Sequence, residues 1–249
     1  LRTCDRSPTE FRVVNATTLA AARELSAPPT LEFPFRVAER AAGGEAEGKA
    51  GRHKGQTVCC LNFASAKNPG GGFLGGSQAQ EESLARATGL YACIARVAGY
   101  YAANRACGTA LYTDHMIHSP AVPVFRGDDN ELLPEPYLVS ILTAPAVNAG
   151  ALRRNEPHNL DRIAPVMSGR IEKLLSLALV HGHAALVLGA WGCGVFRNDP
   201  AAVAGWFAEH LTGDGRFRDV FDTVVFAVLD TSADGEVIRP FADRFGGGT

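Results

Sequence analysis

Apolar positions recur along this chain in two periods. Short runs rich in β-formers at residues 57–63, 137–143, 184–188 and 223–230 read as buried strands. Residues 110–118 and 122–125 give two further candidate strands, broken by Ser119-Pro120. Elsewhere the period lengthens. Leu84, Ala87, Leu90, Tyr91, Ile94, Val97 and Ala98 fall at three- and four-residue steps and predict a helix that starts at Glu81. Residues 166–180 predict a strong amphipathic helix, closed by His181 and Gly182. Asp199-Pro200, an acid at the N-cap followed by proline, opens another that runs to Leu211. Strands alternating with helices of this length predict the α/β class, with helices on both faces of a central sheet.

The flanks are less regular. Pro8 and Glu10 suit a first helical turn. Phe11, Val14, Leu19, Ala22 and Leu25 form a loose apolar stripe, so residues 8–26 are expected to be helical. Residues 31–37 suggest a short strand, and the charged, glycine-bearing stretch 38–55 a surface excursion. Residues 1–45 thus read as an N-terminal helical extension packed on a main domain at 46–249. Residues 146–164 are polar and bounded by prolines, which predicts a long loop over the surface or over a site.

The chain has 249 residues, 46% hydrophobic and 20% charged, with a net charge of −2. That balance argues against wrapping duplex nucleic acid through counterion release, although a local basic groove is compatible with it. No apolar run reaches the roughly 18–20 residues that span a bilayer, so no membrane association is expected. None of the six cysteines forms a Cys-x-x-Cys pair; they read as reduced thiols of a cytoplasmic protein. His181-Gly182-His183 lies where a helix gives way to a strand, with no acid or thiol at ligand spacing, and reads as a helix end rather than a metal site.

Two glycine-bearing loops carry the candidate chemistry. The first follows the 57–63 strand. It has five glycines among residues 70–76 and ends in Gln80-Glu81-Glu82, where a helix begins. Glycine is costly to order and neighbouring carboxylates repel, so the stretch reads as a site. Adjacent helical residues point about 100° apart, so the two acids cannot serve one atom. One can grip sugar hydroxyls while the other transfers a proton, the central need of glycoside hydrolysis. Burial near a second carboxylate would raise an acid's pKa. The competing reading is that both acids merely stabilise a helix start. The second loop, from Gly189 through Gly192, Cys193, Gly194, Val195 and Phe196, precedes the helix at Asp199. Its glycines would let backbone N–H groups approach an anion, a diphosphate being the natural guest. It lacks the Lys-Ser/Thr of a P-loop. Both loops leave carboxyl ends of strands, which predicts one shared rim.

The triple glycine Gly70, Gly71, Gly72, followed after seven residues by Gln80-Glu81-Glu82, resembles the catalytic loop of poly(ADP-ribose) glycohydrolases. The Gly189–Phe196 stretch resembles the diphosphate loop of macrodomains. With Asn62-Phe63-Ala64 and the 224–230 strand, the resemblance is to the compact bacterial type and spans about residues 55–235. It implies a macrodomain-like three-layer α/β/α sandwich with a mixed central sheet. It also implies hydrolysis of ribose–ribose O-glycosidic bonds of poly(ADP-ribose), mainly from chain ends, releasing ADP-ribose and leaving the protein-linked unit in place. By the family pattern Glu82 is the general acid and then the base for water. Glu81 binds ribose hydroxyls, and Gln80 holds the loop or a ribose. Gly70, Gly71, Gly72, Phe73, Gly192, Cys193, Gly194 and Val195 border the diphosphate and sugar, and Phe196 orders the scissile ribose. Asn68 either touches ribose or shapes the loop. No cofactor or metal is implied. Partners would be poly(ADP-ribose), ADP-ribose and ADP-ribosylated proteins, met by a monomer. Two rival readings use the same fold: a reader that binds ADP-ribose without cleaving it, and a hydrolase of mono-ADP-ribosylated protein.

Overall fold

The computed structural model describes residues 7–26 and 57–246. The strand expected at 31–37, the excursion at 38–55 and the boundary at 45 lie outside the described residues.

Six strands form one mixed sheet. They are β1 (Glu10–Val14), β2 (Cys59–Phe63), β3 (Ile117–Arg126), β4 (Leu132–Ala144), β5 (Ala185–Leu188) and β6 (Thr223–Ala227). Their spatial order is β1-β6-β5-β2-β4-β3. All neighbours are parallel except β3, which runs antiparallel to β4. The carboxyl ends of β1, β6, β5, β2 and β4 therefore share one rim.

Residue alternation along the strands feeds two cores. Cys59, Leu61, Leu186, Leu188, Val224 and Phe226 pack on one face. Cys60, Val187 and Val225 pack on the other. Both faces are covered, which is why the central strands read as continuous apolar runs. Helices α6 (Ile163–Val180), α7 (Pro200–Leu211) and α8 (Arg239–Phe245) cover the first face. Helices α1 (Thr18–Leu25), α2 (Gln80–Ala87), α3 (Leu90–Ile94) and α4 (Ala98–Ala106) cover the second. The result is a macrodomain-like three-layer sandwich.

Several local expectations hold in detail. Gly182 lies at φ 75°, with His183 N–H donating to the Ala178 carbonyl and Gly182 N–H to that of Leu179. This paired bonding satisfies the last carbonyls of α6, and only a residue tolerant of positive φ permits it. Asp199 caps α7 through Ala201 N–H, with Pro200 in the first turn.

Other expectations are corrected. Residues 8–26 are not one helix: the first half is β1, the edge strand beside β6, and only Thr18–Leu25 is helical. Thr9 and Glu10 N–H groups donate to Asp219 Oδ1 and the Asp222 carbonyl, and Phe11 packs on Phe245, so sheet pairing overrides local helical preference. The helical periodicity after Glu81 becomes three short helices. Thr88 bonds back to the Leu84 carbonyl, and Gly89 N–H turns out to Pro123 of β3. Ser119-Pro120 does not break a strand. It sits at an irregularity within β3, the other edge of the sheet, where a missing N–H is tolerated. Residues 110–116 are not strand. The supposed loop 146–164 contains α5 (Ala149–Asn155), capped by Asn148, and a 3₁₀ turn at Pro157–Arg162.

Candidate active site

The first glycine loop leaves the end of β2 and returns at α2. Glu81 and Glu82 occupy the second and third positions of that helix and are 3% and 9% exposed. For two carboxylates on a 249-residue chain that is unusual burial, and each is satisfied by fixed donors. Glu81 Oε2 accepts from Ser65 N–H at 2.6 Å, and Oε1 from the Asn62 amide at 3.3 Å. Asn62, fully buried on β2, also donates to Thr143 Oγ1 on β4. Glu82 Oε1 accepts from Gly72 N–H at 2.9 Å, and Oε2 reaches back to Ala79 N–H at 3.2 Å. The second bond caps the helix, so Glu82 also performs the structural task expected of a helix-start acid.

Burial is the main reason the Glu81 carboxyl is pushed up to about 7, and the Glu82 charge adds to it. The Ser65 N–H and the Asn62 amide pull the other way but do not cancel the desolvation.

The triple glycine is shaped by these acids. Gly70 and Gly71 lie at φ 68° and 60°. A Cβ added at Gly71 would stand 2.3 Å from Glu82 Oε1 and 3.2 Å from Glu81 Oε2. One at Gly72 would stand 2.5 Å from Ser77 Oγ. Gly71 N–H is used on the Asn68 carbonyl and Gly72 N–H on Glu82. The backbone expected to hold a diphosphate here is therefore committed within the loop. Phe73 packs on Tyr91 with ring centroids 4.7 Å apart, and Asn68 shapes the turn through its N–H to Ser65 Oγ. Gln80 is a fastener: its Oε1 accepts from Phe63 N–H, and its Nε2 donates to the Leu61 carbonyl and Thr18 Oγ1.

The second loop behaves differently. Trp191, fully buried, anchors it through Nε1 to the Ala144 carbonyl at the end of β4. Asn198 closes it by donating to Gly192 and Val147 carbonyls. Gly192 lies at φ 76°, where a Cβ would come 2.5 Å from Ala146 and Asn198. Between these anchors, the N–H groups of Gly194, Val195 and Phe196 find no acceptor among the described residues. Val195 is 78% exposed, and a Cβ at Gly194 would meet nothing within 4 Å. Three successive free N–H groups on a rigidly held turn suit an anion. Burial pushes the Cys193 thiol up to about 12.

A cleft of about 510 Å³ runs along the rim. Gln80, Gly192, Cys193, Gly194, Val195 and Phe196 line it, with Phe63 and Ala79 beside them. Glu81, Glu82, Asn68, Phe73 and the triple glycine are not lining residues; they form a second cluster that joins the cleft through Ala79 and Gln80. Two contributors had no sequence signal. Tyr112, at φ 57°, sets its ring 6.0 Å from that of Phe196. Beneath it, buried Arg170 holds the 111–114 turn through Leu111 and Tyr112 carbonyls and Asp114. Ser65 could not be singled out as the main donor to Glu81. Asn62 could have been, as the one amide in an otherwise apolar strand. Among the described residues no group of acids, histidines or thiols could hold a metal ion.

Fold and site together define a macrodomain-like α/β/α protein with a buried carboxylate pair beside a turn with free N–H groups. The model of the microbial-type PARG catalytic domain matches residues 2–127, which include the first loop and both glutamates. The crystal structure of poly(ADP-ribose) glycohydrolase (PARG) from Thermomonospora curvata is 46% identical, with a TM-score of 0.82, covering 98% of this chain and 80% of that one. The same enzyme bound to the inhibitor ADP-HPD is 47% identical, with a TM-score of 0.80, over 95% and 79%. The Deinococcus radiodurans enzyme in complex with ADP-ribose is 43% identical, with a TM-score of 0.80, over 96% and 84%. No curated protein sequence matches significantly. The chain belongs to the microbial-type PARG family, and it is by that membership a glycosidase of the poly(ADP-ribose) glycohydrolase kind.

Proposed function

We propose that this chain cleaves the ribose–ribose O-glycosidic bond of poly(ADP-ribose) from chain ends, releasing ADP-ribose, with Glu82 as the general acid. The buried glutamate pair at the first turn of α2 carries this reading, because binding alone calls for no second carboxyl.

The diphosphate sits on the free N–H groups of Gly194, Val195 and Phe196. In this reading the reacting ribose lies toward β2, the strand next to β5 in the sheet. Glu81, held by Ser65 and Asn62, accepts hydrogen bonds from the ribose hydroxyls and faces the positive charge that develops on the anomeric carbon. Glu82 gives its proton to the departing ribose oxygen as the carbon–oxygen bond breaks. The resulting carboxylate takes a proton from water, whose oxygen bonds to the anomeric carbon, and the acid is restored. Burial pushes the Glu81 carboxyl, beside it, up to about 7. Phe196 orders the ribose from the opposite wall, and Gln80 keeps the loop in place. ADP-ribosylated proteins that carry polymer are the physiological partners. The described cysteines are unpaired, which suits a reducing cytoplasm.

The raised pKa favours a second reading, in which Glu81 is the proton donor. Release of free ADP-ribose from poly(ADP-ribose) tests both. The parent chain should release it, and Glu82→Gln should lose about 10²–10⁴ in kcat while still binding ADP-ribose. A Glu82→Gln variant near the parent rate, with Glu81→Gln inactive, would transfer the role to Glu81. No release by the parent would end the enzymatic reading.

A further inference from the structure

With the diphosphate on the loop after β5 and the reacting ribose beside β2, the terminal unit lies along the sheet order β6, β5, β2. The next strand is β4, so the rest of the polymer leaves across the β4 end of the rim. This step rests on the reading given under Proposed function.

Four exposed cations lie on the segments around these strands: Lys67 beyond β2, Arg105 on α4, Arg153 on α5 and Arg197 beyond β5. Arg105, near the end of α4, donates through Nη1 to the carbonyl of Lys67, just beyond β2. Arg153, in the helix that follows β4, donates through Nη1 to the carbonyl of Arg197 at 2.9 Å. Arg197, at φ 56°, folds its aliphatic stem over Gly150, where an added Cβ would come 3.3 Å from its Cδ. The ion pairs among the described residues are Arg12–Glu10, Arg170–Asp114, Arg216–Glu172 and Arg218–Asp219, so none of the four cations has a carboxylate partner there. The acid on this flank, Glu156, is turned onto Thr109 and Ala110.

None of the four lines the cleft itself; Lys67 and Arg197 sit on the two loops that carry the candidate site, and Arg105 and Arg153 are tied to the carbonyls of those same two residues. Each tethered guanidinium spends one N–H on a carbonyl. That fixes its place and leaves most of its five donors for phosphate oxygens.

We propose that Arg105 with Lys67, and Arg153 with Arg197, form a two-sided grip on the diphosphates of polymer units on the leaving side of the scissile bond. The grip makes the chain prefer polymer over its own product. It would act on KM and on capture of the polymer, not on the chemical step.

The test compares the parent chain with Arg105→Gln/Arg153→Gln on size-fractionated poly(ADP-ribose) across a salt series, alongside calorimetric binding of free ADP-ribose. The double variant should raise KM for polymer about three- to tenfold, the scale of two exposed charge contacts, with kcat unchanged. The slope of log kcat/KM against log salt should become shallower by about 1. ADP-ribose, which has no leaving unit, should bind as before, and Arg105→Lys/Arg153→Lys should restore most of the polymer affinity. Unchanged KM and salt slope in an active enzyme would overturn the grip alone. Equal weakening toward ADP-ribose and polymer would also overturn it, by placing the arginines in the first unit's site or in the fold. A parent chain that cleaves no polymer would instead remove the reading beneath it.

Discussion

In the loop after β2, a Cβ at Gly71 would stand 2.3 Å from Glu82 Oε1; in the loop after β5, a Cβ at Gly194 would meet nothing within 4 Å. The first loop uses glycine to let backbone lie directly on carboxylates, and its N–H groups are spent on them and on its own turn. The second is anchored by Trp191 and Asn198 at its ends and keeps three N–H groups free between them. A similar glycine content thus serves two purposes: one loop orients acids, the other leaves room and donors for an anion. The family resemblance implied that both hold the diphosphate; the hydrogen bonding leaves three successive N–H groups free in the second.

The comparison can be broken at several points. The largest effect belongs to the first loop's acid, where Glu82→Gln should cost about 10²–10⁴ in kcat. Gly71→Ala should follow. Its residue would sit at φ 60°, and its methyl would displace Glu82 from Gly72 N–H, so turnover should fall at least tenfold. Stability should fall by about 1–3 kcal/mol, measured by denaturant titration. If Gly71→Ala were as stable and active as the parent, the close packing of acid on glycine would have no consequence.

A third effect comes from pH. Folded Glu81 holds its proton up to about 7, against an ordinary 4.5. Between those values the folded state binds more protons than the unfolded one. This group's contribution is therefore fully present below about 4.5 and declines as pH rises through 7, by up to about 3 kcal/mol. Denaturation at pH 5 and pH 8 should show that loss in the parent chain and a flatter profile in Glu81→Gln. The smallest structural effect belongs to the second loop. Gly194→Ala should leave stability within about 0.5 kcal/mol, since its methyl meets no protein atom. Its ADP-ribose affinity should still fall severalfold, because the methyl enters the space beside the free N–H groups. A Gly194→Ala chain that unfolds would place this glycine in the fold and erase the contrast.

Much of this was legible before any coordinates. The buried strands β2, β5 and β6 read correctly because both faces of the sheet are covered, so their runs are apolar throughout. The α7 cap and the end of α6 were legible because their bonding is local. The edges were not. β1 has a half-exposed pattern that a helix could share, and it became a strand only through β6 and Phe245. Gln80-Glu81-Glu82 and the glycine spacing marked the candidate site, and the structure buries both acids at a helix start. Ser65, a backbone donor to Glu81 within the same loop, carries no side-chain signal, and Tyr112 behind Phe196 comes from a segment far away in the chain.

By itself the sequence determined the layering, the two glycine loops and the place of the carboxylate pair at a helix start, because these follow from periodicity and local backbone preference. Only the tertiary structure decided what each loop's backbone is free to do. Hydrogen-bond donors are claimed by whatever packs against them, and Asn62 reaches Thr143, Trp191 the Ala144 carbonyl and Asn198 the Val147 carbonyl only when the sheet brings β2, β4 and β5 side by side.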